Sequence, residues 1–253
     1  MALNSGIEWT EATWNPVTGC TKVSAGCRHC YAERWALRLQ VIGVPKYRQG
    51  FRVTCHEAEL SVPQVWHKPR LVFLCSMGDL FHPAVPFEFI SRVFAVMVSC
   101  PQHVFQVLTK RSKRLRAVAG RLPWPGNVWM GVTVEDRRYV GRIADLRTVP
   151  AAVRFLSCEP LIGPIEQLPL DGIHWVIVGG ESGPGSRVMR KEWVDGIRRQ
   201  CQEAGVAFYF KQWGGTQKHR NGRRLDGRLY EELPAVITQP VSRLMFQEGR
   251  LSR

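Results

Sequence analysis

The sequence predicts an α/β fold, a partial (β/α)6-7 TIM-type barrel with parallel strands. Three observations point there. Short apolar runs rich in β-branched and aromatic residues recur along the chain, near-continuous rather than alternating, as strands buried on both faces require. Helix-like stretches separate them, so that strands recur roughly every 20 to 33 residues, the length of a βα unit. Nearly every run also ends in polar or reactive residues, and sites in parallel sheets and barrels gather at the carboxyl ends of strands. A doubly wound open sheet shows the same alternation, so periodicity leaves both topologies open.

The elements follow in chain order. A first strand is expected near Thr13–Thr18, and residues 43–70 read as an irregular insertion. Strand runs then fall at Leu71–Cys75, Val104–Leu108, Val128–Thr133, Arg154–Cys158, Trp175–Gly179 and Val206–Phe210. Helical patterns lie between them, as at Phe87–Val98 and at Glu192–Glu203, which Ala204-Gly205 stops. The strand ends read Ser76-Met77-Gly78-Asp79, Thr109-Lys110-Arg111, Thr133-Val134-Glu135-Asp136, Ser157-Cys158-Glu159, Gly180-Glu181-Ser182 and Lys211-Gln212. Six such ends in succession predict one composite site. Residues 1–215 therefore form the barrel unit, and residues 216–253 a basic extension expected to be partly disordered at its end.

Composition narrows the function classes. The chain has 253 residues, 45% hydrophobic and 10% aromatic, enough for one domain with a real core. No apolar run approaches the roughly 20 residues of a membrane helix, and the start carries two acids without a basic cluster. A membrane protein and a secreted precursor are not expected, and the eight cysteines are expected as reduced thiols in the cytoplasm. The 35 Lys and Arg exceed the 21 Asp and Glu, a formal charge of +14 that attracts polyanions, nucleic acid being the commonest. Val107–Arg121 holds six of the basic residues without an acid, and Lys211–Arg228 holds six more with one Asp. Both tracts follow strands and are expected to rim one face, with Phe208, Tyr209, Trp213, Trp124 and Trp129 as aromatics nearby for base stacking.

Cys20, Cys27 and Cys30 lie within eleven residues, while the other five cysteines are scattered. Three thiolates from one loop can grip three irons of a [4Fe–4S] cube and leave the fourth open. Zinc accepts the same thiolates but structural sites want four ligands, which His29, Cys55 or His56 could complete. Spacing alone leaves the two metals level.

The loop Trp14-Asn15-Pro16-Val17-Thr18-Gly19-Cys20, continuing through Cys27-Arg28-His29-Cys30-Tyr31-Ala32, resembles that of radical S-adenosylmethionine (SAM) enzymes. The superfamily usually spaces its cysteines x3 then x2 with an aromatic before the third. Here the first gap is six, and His29 precedes Cys30. The stretches WNPVTGC, CRHCYA, SMGDLFHP, LTKR and SCEPLIGPI are similar to a phage-associated radical-SAM-like family with this cysteine loop, over roughly residues 8–215. Ser76-x-x-Asp79-x-Phe81-x-Pro83, followed by Leu108-Thr109-Lys110, is similar to the spore photoproduct lyase-like group. These resemblances imply an enzyme that binds a [4Fe–4S] cluster through Cys20, Cys27 and Cys30 and cleaves SAM to a 5′-deoxyadenosyl radical. Ser76 and Asp79 would then hold the methionine amino end, Lys110 its carboxylate, Thr133 the carboxylate or ribose, and His29 the adenine. Two of them have a plainer use: Lys110 heads a basic run and could contact a phosphate or solvent, and Asp79 could cap the following helix.

The glycine-rich Gly179–Gly185 would let a cofactor approach, with Glu181 reaching a ribose or the substrate. Cys75, by resemblance, and Cys158, by position, are candidate hydrogen donors, although buried strand cysteines are ordinarily inert. The expected substrate is nucleic acid or a nucleotide, in DNA repair or base modification. The expected electron donor is a flavodoxin or ferredoxin. The competing class is a non-enzymatic zinc-stabilised nucleic-acid-binding module. His56, His67 and His82 show no ligand spacing.

Overall fold

Pro16 decides how the barrel begins. The strand expected near 13–18 divides into β1 (Ala12–Trp14) and β2 (Val17–Thr18), because a proline has no N–H for the ladder. In this computed structural model, which describes residues 5–235, β1 joins the main sheet, and β2 pairs antiparallel with β3 (Thr54–Cys55). The remaining strands are β4 (Leu71–Leu74), β5 (Val104–Thr109), β6 (Val128–Thr133), β7 (Arg154–Cys158), β8 (Trp175–Gly179) and β9 (Ala207–Gln212). Seven strands in the order β1-β4-β5-β6-β7-β8-β9, all parallel, curl into a half-barrel. The fold is a partial α/β barrel.

Between the strands lie α1 (Tyr31–Val41), α2 (Phe87–Ser99), α3 (Ser112–Ala119), α4 (Gly141–Arg147) and α5 (Lys191–Ala204). α2 and α5 fall where the apolar periodicity predicts them. The 43–70 stretch forms β3 and three 3-10 turns, at Pro45–Tyr47, Glu57–Glu59 and Val62–Val65.

Alternation along each strand divides the core into two layers. Val72, Leu74, Phe105, Val107, Met130, Leu156, Val176 and Val178 face the helices. Leu71, Phe73, Val104, Trp129, Phe155, Trp175, Ile177 and Tyr209 face the barrel interior, where Trp9 joins them. Trp9 sits 4.6 Å from Phe73 and 6.2 Å from Trp175 between ring centroids, so the N-terminal segment plugs the interior. The outer edge of β9 is covered by the chain's return: Phe210 N donates to Tyr230 O at 2.9 Å, and Trp175 Nε1 donates to Glu232 O at 2.8 Å. The disorder expected at the end of the extension concerns residues 236–253, which lie outside the described residues.

Candidate functional site

With the interior filled largely by aromatic rings, open space remains above the strand ends. A cavity of about 480 Å³ opens there, within the range of sites for cofactor-sized ligands. Cys20, Cys27, Cys30, His29, Ser76, Asp79, Lys110, Thr133, Glu181 and Cys75 all line it. The successive strand ends thus converge on one place, with the cysteine loop on top.

The loop is held by polar contacts from four elements. Gly19 N donates to Met77 O at 2.8 Å, and Ala25 N donates to Tyr139 Oη at 2.9 Å. Arg111 at the start of α3 donates to Thr21 O at 3.0 Å and to Cys20 Sγ at 3.6 Å. Ser24 Oγ donates to Glu135 Oε1 at 2.5 Å. Glu135 is fully buried and also accepts from Arg142 at 2.8 Å. Gly26 lets the loop lie against this carboxylate, since a Cβ there would stand 2.6 Å from Glu135 Cγ.

The thiols differ in their surroundings. Burial and the Asp79 charge push the Cys20 thiol up, against the opposing contact from Arg111. Burial also raises Cys27, but the Lys110 charge and hydrogen bonds from Ser24 and the backbone outweigh it, so this thiol lies below the ordinary range. Among the described residues no three His, Cys, Asp or Glu are grouped so as to hold a single metal ion. A cubane offers each thiolate a different iron, so three thiols around one cavity, with Lys110 and Arg111 beside them, fit a cluster. Cys55 and His56, candidate fourth ligands for zinc, line a separate cavity near Pro45, and His56 Nε2 is 2.7 Å from Thr18 Oγ1.

The other predicted residues are placed as follows. Ser76 Oγ exchanges hydrogen bonds with the Asn15 amide at 3.1 and 3.2 Å, and Asn15 Oδ1 also accepts from Met77 N. Lys110 Nζ donates to Thr133 Oγ1 at 3.3 Å and lies 4.0 Å from Glu135. Asp79 lines the cavity with its carboxylate already engaged by its own chain. Its carboxylate accepts from Thr109 Oγ1 at 2.7 and 2.9 Å, from Phe81 N and from Lys110 N. Glu181 is likewise held by Arg187 through the backbone and side chain, and these bonds, against burial, keep its carboxyl below the usual range. Cys75 reaches the cavity with φ +58°, a left-handed conformation sparse for residues other than glycine. Cys158 does not: it faces the helical layer, and burial raises its thiol far above the ordinary range.

The sequence places Glu159 and Lys211 at strand ends but does not show their pairing, and it does not single out Arg34. Lys211 and Glu159 pair at 2.5 Å within the cavity, and Arg34 Nη2 donates to Ser182 O at 2.8 Å. Arg34 ties α1 to the glycine-rich loop after β8. Gly183, at φ +101°, leaves room for it, since a Cβ there would meet the guanidinium at 2.3 Å. Gly183→Ala is expected to displace Arg34 and loosen this roof, measured as faster amide exchange over 180–186 and in α1.

Several side chains of the first basic tract are engaged within the molecule. Arg114 donates to His82 O and Val85 O, Arg116 pairs with Asp145, and Arg121 stacks 3.7 Å over Phe87. The expected stacking aromatics are also packed away. Phe208, Tyr209 and Trp129 are buried, Trp124 packs on Phe94, and Trp213 packs on Phe210. Among the described residues the exposed aromatic rings lie instead on α1, at Tyr31 and Trp35.

Fold and site together define a partial (β/α) barrel protein with a cysteine loop over its strand ends. The chain belongs to the family described as protein of unknown function (DUF5131), whose model matches residues 4–234. No curated protein matches it in sequence. Two solved structures are similar at 12% identity and a TM-score of 0.43. One is a spore photoproduct lyase double mutant with bound AdoMet and dinucleoside spore photoproduct, over 76% of this chain and 61% of that one. The other is spore photoproduct lyase complexed with dinucleoside spore photoproduct, over 74% and 59%. The chain spans about three fifths of the length of these structures. Among the described residues no helix is long and apolar enough to cross a membrane.

Proposed function

We propose that this chain is a radical SAM enzyme of the cytoplasm acting on nucleic acid or a nucleotide, with a [4Fe–4S] cluster on Cys20, Cys27 and Cys30. One observation carries the reading: the three thiols of one loop line the same cavity as the polar ends of successive parallel strands. Cys20, Cys27 and Cys30 would hold the cluster, which would pass one electron from a flavodoxin or ferredoxin to the SAM sulfonium, breaking its C5′–S bond to give methionine and a 5′-deoxyadenosyl radical.

The chain's own residues bind and position. Lys110, aimed by Thr133, offers the cation for the methionine carboxylate, and Ser76, oriented by Asn15, offers a hydroxyl to the amino end. Asp79 and Glu181 act through others in this reading. The first fixes Thr109 and the Lys110 backbone, and the second fixes Arg187 under the glycine-rich loop. His29, whose ring would lie 3.2 Å from a Cβ at Gly185, stands between the cysteine loop and that glycine-rich loop, as a group packing on adenine requires. Cys75 is the candidate hydrogen donor that faces the cavity.

Anaerobic reconstitution with iron and sulfide tests this directly. About four irons per chain and a broad visible absorption are expected, lost on replacing any one of the three cysteines by alanine. A colourless protein holding one zinc per chain overturns the reading. Lys110→Ala in the reconstituted protein is expected to weaken SAM binding about 10- to 100-fold by calorimetry, the worth of a charge-assisted hydrogen bond. Unchanged affinity removes Lys110 from the carboxylate.

A further inference from the structure

We infer that the outer face of α1 is a stacking track that leads a single strand of nucleic acid into the cavity, with Trp35 as its platform. The inference rests on the reading of that cavity as the reaction site. It begins with an inverted helix. α1 buries only Ala32 and Ala36, while Tyr31, Trp35 and Ile42 remain 45%, 51% and 65% exposed. At 100° per residue, positions 31, 35, 38 and 42 fall on one stripe. Leaving two large aromatic rings and an isoleucine in water along one line costs solvation that a helix packed only for stability would avoid.

The stripe starts at the site. Tyr31 and Trp35 both line the cavity, and Tyr31 Oη donates to Ser76 O at 2.5 Å, so its hydroxyl end is anchored while its ring faces the mouth. From there the stripe runs outward for roughly 16 Å at 1.5 Å per residue.

Its chemistry suits a polyanion carrying flat bases. The Arg38 guanidinium lies 5.4 Å over the Trp35 ring, and Arg34 stands one turn back at the cavity wall. The single acid of the helix, Glu33, is neutralised by Lys22 at 3.0 Å. Exposed indole, phenol and guanidinium without a free carboxylate combine stacking faces with phosphate-binding charge. Bases in a duplex are already stacked and offer no face, so the track selects unpaired nucleotides. The contrast with the rest of the molecule strengthens the assignment, because the other aromatics near the basic tracts are packed against protein and several side chains of the first tract are engaged within the molecule.

The experiment is fluorescence anisotropy with a labelled single-stranded DNA of about 12 nucleotides, within the span such grooves cover. A matched duplex and a single-stranded RNA serve as further arms. The parent protein is expected to bind single strands more tightly than the duplex, with affinity falling as salt rises. Trp35→Ala is expected to lose roughly 10-fold in affinity, the scale of one stacked base, and Trp35→Phe to recover most of it. Arg38→Ala is expected to flatten the salt slope by about one contact.

Trp35→Ala with parental affinity and salt slope overturns the inference, as does a parent that binds no single strand at low salt. If Trp35→Ala leaves oligonucleotide binding intact but slows reduction by a flavodoxin, the face belongs to an electron donor and the inference fails. Iron content is measured in the same variants and is expected to be unchanged. A protein without iron that still shows Trp35-dependent binding keeps the track and discards the radical SAM reading, so the two failures separate.

Discussion

Replacing Glu135 with alanine is expected to lower stability by about 3 to 5 kcal/mol, the range for breaking a buried ion pair from one side. At about 2 to 4 °C per kcal/mol for a chain of this size, the melting temperature falls by roughly 6 to 20 °C. The physical cause is the state of Arg142. Its side chain is 10% exposed and stacks 4.4 Å from the Tyr139 ring, and without Glu135 its charge is left almost dry with only Thr133 O to accept from it. The consequence for function is larger than the melting shift. Ser24 loses its acceptor and Gly26 its neighbour, so the loop that carries the three cysteines loses this attachment to the segment after β6. Iron per folded chain after reconstitution is therefore expected to drop with the melting temperature. Glu135→Gln, which keeps an acceptor for Ser24, is expected to retain more of both. An alanine variant that melts within ~2 °C of the parent and holds its full iron would sink this account of the loop.

The same contact shows what a sequence can and cannot reveal. The strands were legible because burial on both faces forces continuous apolar runs, and every run from Leu71 onward lies in the barrel. The loop cysteines were legible because ligands on one loop must be close in sequence. Ser24 and Glu135 are 111 residues apart, and nothing in either neighbourhood announces the other. Lys211 and Glu159, 52 residues apart, escape for the same reason. α1 escaped differently. Its periodicity points the wrong way, because small alanines pack inward and large apolar residues face out. Asp79 and Glu181 were recognised as important positions, but their hydrogen bonds decide what they hold, and those partners are set by the fold. The basic tracts misled about charge available to a partner, since arginines that look solvated in sequence reach backbone carbonyls and carboxylates in the structure.

Trp175→Ala separates the scaffold from the site and carries a comparable expected loss, about 3 to 5 kcal/mol for deleting a buried tryptophan. Trp175 is fully buried at the centre of the interior layer, with Trp9, Trp129, Phe155 and Tyr209 around it at centroid distances of 5.8 to 6.2 Å. These rings come from β6, β7, β9 and the N-terminal plug, so the hole left behind cannot collapse without moving several strands. Its Nε1 also holds Glu232 O at 2.8 Å, and Glu232 in turn accepts from Phe208 N, so the chain's return along β9 loosens as well. Trp175→Phe keeps most of the aromatic packing and orphans that carbonyl, for an expected loss nearer 1 to 3 kcal/mol. Trp175 itself does not line the cavity above the strand ends, which it reaches only through its neighbour Trp9. Under conditions where the variants remain folded, both are expected to reconstitute with the parent's iron content, unlike the Glu135 variant. If Trp175→Ala empties the cysteine loop while still folded, the interior layer and the site are coupled, and the separation of scaffold from site fails.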